Sequence, residues 1–315
     1  MKDSEYDNLK KHVNSGSCVA FVGSGLSLPD ILYPSWEQLI VLLCKECGLD
    51  ESINLNDSEL LLELADKARE RDEATYYKTL NEVFGKPVVK TNLAYDLMMR
   101  IKFCSYITTN FDPLLEKEAQ KPEHHCNSEI YSCPALPFDK IRLRSVYYIH
   151  GKIQANSMQG PMQIILGKRD FDYYYALQHG TLLSFLHQLL TSYPLLFIGC
   201  GLRERPLRRI FDICREARRE IENAVSGSKA PHRYALLPMK FTKTLQNPIW
   251  KRDVTKEEEE KARFMELDIR VVRYDPKDEN HSGLLAILEE WCTLSPTTRG
   301  SGFEGGGLIE SSSIF

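Results

Sequence analysis

The chain has 315 residues, 43% of them hydrophobic and 27% charged, with a formal net charge of −4. That length suits one large α/β domain or two small ones, and the charge gives no general attraction to nucleic acid or acidic membrane. No apolar run reaches the roughly 20 residues that span a bilayer, the first residues carry no secretory pattern, and nine cysteines without framework spacing read as reduced thiols of a cytoplasmic protein.

Residues 17–22 (SCVAFV) are an apolar run stopped by Gly23-Ser24-Gly25, the pattern of a buried strand feeding a tight turn. Residues 36–48 have helical spacing, with Gly48 placed as the C-terminal cap. Residues 58–83 repeat apolar positions at helical intervals through Leu61, Leu62, Leu64, Ala65, Ala68, Tyr76, Tyr77 and Leu80. The helix-rich stretch from about 30 to 100 therefore reads as a helical insertion.

A second strand over 103–108 ends at Thr109-Asn110, and Pro113 sits where a helix begins, its missing N–H harmless there. Residues 121–140, with three prolines, read as irregular with one short strand. A third strand over 145–149 ends at His150-Gly151; 162–166 has strand composition and 173–190 is helical. A further strand over 194–198 ends at Gly199-Cys200-Gly201, followed by an amphipathic helix over 204–223 and a loop at Ser226-Gly227-Ser228. A strand over 232–237, a helix over 255–266 opened by Thr255, a strand over 268–274 and a helix over 282–292 complete the pattern. The Gly/Ser/Thr-rich stretch 295–315 reads as a disordered tail.

Alternating strands and helices build a parallel sheet, so the fold class is α/β, a Rossmann-like doubly wound parallel sheet with a helical insertion in a catalytic domain over 1–294. Four of its strands end in GSG, TTN, HG and GCG, and open parallel sheets bind ligands beyond the carboxyl ends of their strands. Glycines after a strand let backbone approach a pyrophosphate, with outward N–H groups receiving its charge; taken alone, this turn is equally a tight β–α connection. Asn110 can orient a hydroxyl or a water without exchanging a proton. Asp112 can cap the next helix. His150 is suited to general-base work near neutral pH, although a lone histidine is more often a satisfied core residue.

Other clusters read more simply. His124, His125, Cys126 and Cys133 include metal-binding types, but their spacing fits no established site. The arginines at 203, 205, 208, 209, 215, 218 and 219 alternate with Glu204, Asp212, Glu216 and Glu220, the mark of an ion-paired solvated face. Tyr173, Tyr174 and Tyr175 are aromatic enough to line a pocket or an interface, but such residues are more often simply half-buried.

Taken in order, GSGLS at 23–27, TTNFD at 108–112, HG at 150–151 and GCGL at 199–202 resemble the sirtuin signature. Pro34-Ser35-Trp36 and the closing stretch 268–291 resemble the sirtuin-like effector domains of bacterial antiphage defence more than the protein deacetylases. The resemblance implies a Rossmann-like site for NAD+ as substrate, with Asn110 and His150 matching the catalytic pair. Gly23, Ser24, Gly25, Ser27, Thr109, Asp112, Gly199 and Gly201 match NAD+ contacts. The deacetylases carry two C-x-x-C pairs for a structural zinc; this chain has only Cys44 and Cys47, so no metal is expected. It also lacks the deacetylase arginine at Pro29-Asp30-Ile31-Leu32.

These departures favour an NAD+ hydrolase releasing nicotinamide and ADP-ribose, an antiphage effector that depletes NAD+ when triggered. The alternatives are an NAD-dependent deacylase or ADP-ribosyl transferase, and a non-enzymatic NAD-binding subunit. An unregulated NAD+ hydrolase would kill its host. The resemblance therefore implies a homo-oligomer and a regulatory partner in trans, a HerA-like ATPase or an Argonaute-type protein, with no direct nucleic-acid binding and no membrane.

Overall fold

A computed structural model describes residues 4–27, 33–49, 57–85, 92–124, 129–137, 140–153, 163–175, 180–224, 231–242, 251–278 and 280–294. The expected tail 295–315 and the Ser226-Gly227-Ser228 loop lie outside the described residues. Chain order is α1 (Ser4–Asn14), β1 (Val19–Val22), α2 (Trp36–Glu46), α3 (Ser58–Arg71), α4 (Glu73–Phe84), α5 (Leu93–Arg100), β2 (Tyr106–Thr108) and α6 (Leu114–Ala119). There follow β3 (Ile130–Ser132), β4 (Val146–Tyr148), α7 (Lys168–Tyr174), α8 (Thr181–Ser192), β5 (Leu195–Ile198) and α9 (Arg205–Ala224). The last elements are β6 (Arg233–Pro238), a small hairpin β7 (Phe241–Thr242) and β8 (Lys251–Arg252), then α10 (Val254–Glu266), β9 (Arg270–Tyr274) and α11 (Ser282–Leu294).

Seven parallel strands form one sheet in the order β3-β4-β2-β1-β5-β6-β9. From β1 the chain moves outward to β2 and on to the edge strand β3, returns to place β4 between them, then crosses back to β5 and winds the other way through β6 and β9. The reversal lies between β1 and β5, which is where doubly wound sheets open a crevice for ligands. Because side chains alternate along a strand, β1 sends Ala20 and Val22 into one apolar layer and Val19 and Phe21 into the other. Helices cover both layers, so the strands read as continuous apolar runs. The expected doubly wound sheet with helices inserted between β1 and β2 is the observed fold.

Some boundaries differ from expectation. The run 58–83 is two helices, broken at Asp72, whose carboxylate accepts the Thr75 N–H at 2.9 Å and starts α4. Asp253, not Thr255, caps α10, accepting from Lys256 N–H at 3.1 Å. The stretch 163–166 is not a strand; it crosses the end of β4 irregularly and holds it by one bond, Ile165 N–H to His150 O at 2.8 Å. The helix expected over 173–190 is two helices, α7 and α8. Gly48 does cap α2, with φ +73° and the Leu49 N–H returning to Cys44 O at 2.8 Å. The α9 arginines are ion-paired, mainly to other elements: Arg205 to Glu59, Arg208 to Glu266 and Arg218 to Asp268, with Arg215–Asp212 within the helix. Helical spacing predicted the charge alternation but not the acids that neighbouring elements bring. Among the described residues no helix is long and apolar enough to cross a membrane.

Candidate functional site

The turns after β1 and β5 interlock at the sheet reversal. Gly23 N–H donates to Ile198 O at 2.9 Å and Gly25 N–H to Gly199 O at 3.0 Å. A Cβ on Gly23 would stand 2.4 Å from Gly199 O, and one on Gly199, at φ +68°, 2.5 Å from Leu26 N. These glycines are therefore demanded by each other, whatever else approaches them. Leu26 and Ser27 N–H also bond within the turn, to Gly23 O and Ser24 O at 3.1 and 3.0 Å. Of the outward N–H groups expected to receive a pyrophosphate, four are thus occupied inside the protein.

The turn after β2 is built by a threonine. Thr108 Oγ1–H donates to Val22 O at 2.9 Å and accepts from Asn110 N–H at 3.0 Å, tying the end of β1 to the bend that presents Asn110. Asp112 Oδ1 accepts from Leu114 N–H at 3.1 Å just ahead of α6, one residue before the N-cap position, which Pro113 holds, so it supports the helix start without being the cap itself. Its other oxygen faces Ser27 Oγ at 3.5 Å. Burial pushes the Asp112 carboxyl up to about 6, against the opposing pull of the Leu114 N–H and Ser27 bonds.

Tyr95, fully buried on α5, completes this cluster. Asn110 Nδ2–H donates to its hydroxyl at 3.2 Å, and that hydroxyl lies 2.9 Å from Ser27 Oγ. After β4, Gly151 takes φ +85°, and a Cβ there would strike Gln163 O at 2.2 Å. His150 is 4% exposed. Its Nε2 is 2.7 Å from Tyr175 Oη, and its ring meets Phe171 edge-on at 5.1 Å between centroids. Desolvation pushes the imidazole down to about 3, so it is neutral at pH 7.

These groups converge on a chamber of about 70 Å³ lined by Ser24, Ser27, Thr109, Asn110, Asp112 and His150. Its apolar wall comes largely from the helical insertion and the turn before it: Tyr33, Pro34, Trp36, Leu39 and Phe84. Phe84 stacks on Tyr33 at 5.4 Å and meets Phe111, next to Asn110, at 5.8 Å. A second cavity of about 350 Å³ lies across the glycine turns, lined by Ser24, Gly25, Gly199 and Gly201 together with Arg203, Lys240 and Arg263. Ser24, Trp36 and Glu204 border both. Burial pushes the Glu204 carboxyl upward.

Of the ten residues singled out in the sequence, nine line one cavity or the other; Gly23 lies beneath, holding the two turns together. Sequence reasoning passed over Tyr95, Tyr33, Phe84 and Phe171, for which no motif gave a signal. It read Tyr175 as half-buried, which the structure bears out, but not as a partner of His150, and it placed Glu204 in an ion-paired face. Pro34-Ser35-Trp36 did signal: Ser35 and Gln38 cap α2 reciprocally, which sets Trp36 between the cavities.

Of the suggested metal group, only His124 and Cys133 are among the described residues, and they have different neighbours. His125 and Cys126 lie outside the described residues, and Cys133 packs in an apolar layer. His124 faces Asp96 and Glu118 instead, at 3.4 and 3.7 Å, and those carboxylates hold Arg100 and Lys121 at 2.7 Å each.

Residues 105–261 match the SIR2-like domain family. The chain is 26% identical over 211 residues to NAD(+) hydrolase ThsA of Bacillus cereus (strain MSX-D12), a match covering 67% of this chain and 42% of that protein. The chain thus spans less than half the length of that curated relative. Among solved structures it is similar to a Sir2 homologue in complex with NAD, at 12% identity and TM-score 0.45, covering 94% of this chain and 96% of the other. It is also similar to a Sir2 enzyme described for its mechanism and regulation, at 11% identity and TM-score 0.43, covering 91% and 97%.

Proposed function

We propose, proceeding from the SIR2-like domain that this chain carries, that it hydrolyses NAD+ to nicotinamide and ADP-ribose, with Asn110 and His150 as its catalytic pair. One observation carries the reading above the others: Asn110 and His150, 40 residues apart in the sequence, face one chamber that adjoins interlocked glycine turns at the sheet reversal. A dinucleotide laid across those turns would put nicotinamide and its ribose in the chamber and the adenosine in the larger cavity. The name of the ThsA relative agrees with this chemistry.

Breaking the nicotinamide–ribose bond builds positive charge on the sugar. Asn110 orients the attacking water or a ribose hydroxyl, and His150 takes the proton. Thr109, Asp112, Ser27 and Ser24 contact the ribose side, and Gly25, Gly199 and Gly201 let backbone approach the pyrophosphate over the turn that Gly23 holds in place beneath them. The chamber's free volume of about 70 Å³ suits the nicotinamide-ribose end of the substrate and not the whole dinucleotide, whose remainder would lie across the glycine turns.

We assign residues 1–294 to one catalytic unit whose insertion, about 30–100, walls the chamber. We further propose the antiphage role that the motifs imply, in a cytoplasmic homo-oligomer governed in trans by a HerA-like ATPase or an Argonaute-type partner.

The test is incubation of the purified protein with NAD+ alone and then with candidate partners, nicotinamide being measured by chromatography. Asn110→Ala and His150→Ala should each abolish release while keeping the fold. Full activity in both folded variants would sink the assignment. Release that requires an acylated or acceptor protein would favour the deacylase or transferase reading.

A further inference from the structure

We propose that Tyr95 is a positioning residue whose hydroxyl fixes the side-chain amide of Asn110, turning Oδ1 toward the reaction chamber. That role rests on the catalytic reading of Asn110 given above and adds a residue from the helical insertion to it.

The number of protons available sets the direction of the bonds. An amide can face a neighbour with either its NH2 or its carbonyl, and the surrounding hydrogen bonds decide which. Tyr95 Oη has one proton to give and two polar neighbours, Asn110 at 3.2 Å and Ser27 Oγ at 2.9 Å. Ser27 in turn faces Asp112 Oδ2 at 3.5 Å, and an ionised carboxylate only accepts.

Consider first the amide with Nδ2 toward Tyr95. Nδ2–H donates to the tyrosine, the tyrosine donates to Ser27, and Ser27 donates to Asp112. Every proton has an acceptor, and the series ends on a charge. If the amide is flipped, the tyrosine must donate to Oδ1 and Ser27 must donate to the tyrosine. Asp112 then loses both the Ser27 bond and the Asn110 amide bond that help hold its buried carboxyl down, which is the costly outcome. The carboxylate therefore propagates a direction through Ser27 and Tyr95 to Asn110.

The consequence at the chamber is specific. Oδ1 accepts a hydrogen bond from a water or ribose hydroxyl, which leaves that oxygen's lone pair free for the electrophilic sugar carbon. An NH2 group in its place would bind the lone pair itself. The sequence neighbourhood supports a fixed Tyr95. Asn92 Oδ1 caps α5 by accepting from Ala94 and Tyr95 N–H at 2.9 and 3.3 Å, so the ring projects from a rigid first turn.

The experiment uses the full chain and two readouts. Tyr95→Phe removes one oxygen and keeps the ring. For nicotinamide release from NAD+, kcat should fall about 10- to 100-fold, the scale of a misplaced catalytic group, with KM within about threefold. Independently of turnover, the Asn110 side-chain amide in protein labelled with 15N-asparagine should show one slowly exchanging proton in the parent chain and none in Tyr95→Phe. Ser27→Ala should loosen the same amide signal, and it decides the matter if Tyr95→Phe does not fold. Unchanged kcat in Tyr95→Phe, or Asn110 amide signals unchanged in either folded variant, would overturn the proposal. If the parent chain does not cleave NAD+ at all, the proposed activity fails while the amide readout still decides the role of Tyr95.

Discussion

The hydroxyl of Tyr175 stands 2.7 Å from Nε2 of His150 and so engages one of the two imidazole nitrogens directly. Burial pushes the tyrosine well above its ordinary range and the histidine down to about 3, so both are neutral at pH 7. With the imidazole proton on Nδ1, the tyrosine donates to the Nε2 lone pair, the electron pair a general base would use, and that tautomer has its base occupied. Tyr175→Phe removes only that bond, worth about 0.5–1.5 kcal/mol net, so basal nicotinamide release should rise about 2- to 10-fold. Steady-state assays of the two proteins check this; a drop in kcat would instead make Tyr175 a support of the active state.

Asp112 places a stability cost beside the reaction chamber. Its folded carboxyl sits near 6 against 3.8 for the ordinary group. A raised acid favours the fold fully below the unfolded value and loses that contribution as pH rises through about 6. Tyr33, Tyr95 and Tyr148 face it from neighbouring elements and stay protonated, so none compensates its charge. Asp112→Asn should therefore gain stability at pH 8 relative to pH 4, by at most about 3 kcal/mol, because each tenfold change in proton affinity is worth about 1.4 kcal/mol. Activity should fall, since the Ser27 bond loses its charged acceptor. Urea denaturation at the two pH values measures the first and nicotinamide release the second.

His150 acts on stability with the opposite sign. Its folded value is depressed, so the unfolded chain takes up a proton first as pH falls below about 6.5. Stability should decline between pH 6.5 and 3, and His150→Phe should flatten that limb. Equal acid sensitivity in the two proteins, followed by thermal denaturation, would refute the buried neutral imidazole.

Gly199 and Gly201 should separate structure from ligand contact. Alanine at 199 meets Leu26 N at 2.5 Å with an unfavourable φ of +68°, and should destabilise by about 2–4 kcal/mol. Alanine at 201 meets only the Arg203 side chain at 3.8 Å and should leave the melting temperature nearly unchanged. If residue 201 lies against the pyrophosphate, Gly201→Ala raises KM for NAD+ several-fold. An unchanged KM would move that contact elsewhere.

Arg69 joins the helical insertion to the helix that covers His150. It bridges Asp66 of α3 at 2.9 Å and Asp170 of α7 at 2.8 Å, and Asp66 also accepts the Arg169 N–H at 2.9 Å. Arg69→Met leaves two half-shielded carboxylates without their cation and should cost about 2–3 kcal/mol, less than a fully buried pair because the site is partly wet. Hydrogen exchange should accelerate across α7, which presents Phe171 and leads into Tyr175. Exchange unchanged there would uncouple the insertion from the histidine.

The sequence by itself determined the frame of this protein. Apolar runs ending at Gly23, Thr109, His150 and Gly199 specified buried parallel strands, because only strands covered on both faces are apolar throughout. Their small or polar ends pointed to one side of the sheet as the ligand side, and nine of the ten residues that the sirtuin resemblance singled out line the cavities. Tertiary structure alone decided the rest. Tyr95 and Tyr175 look like any helix tyrosine, since periodicity reports which face is buried and not what the hydroxyl meets. The 163–166 segment had strand composition, yet it only crosses the end of β4. The acids that neutralise α9 come from elements distant in sequence. Each depends on contacts between segments far apart along the chain, which local spacing does not encode.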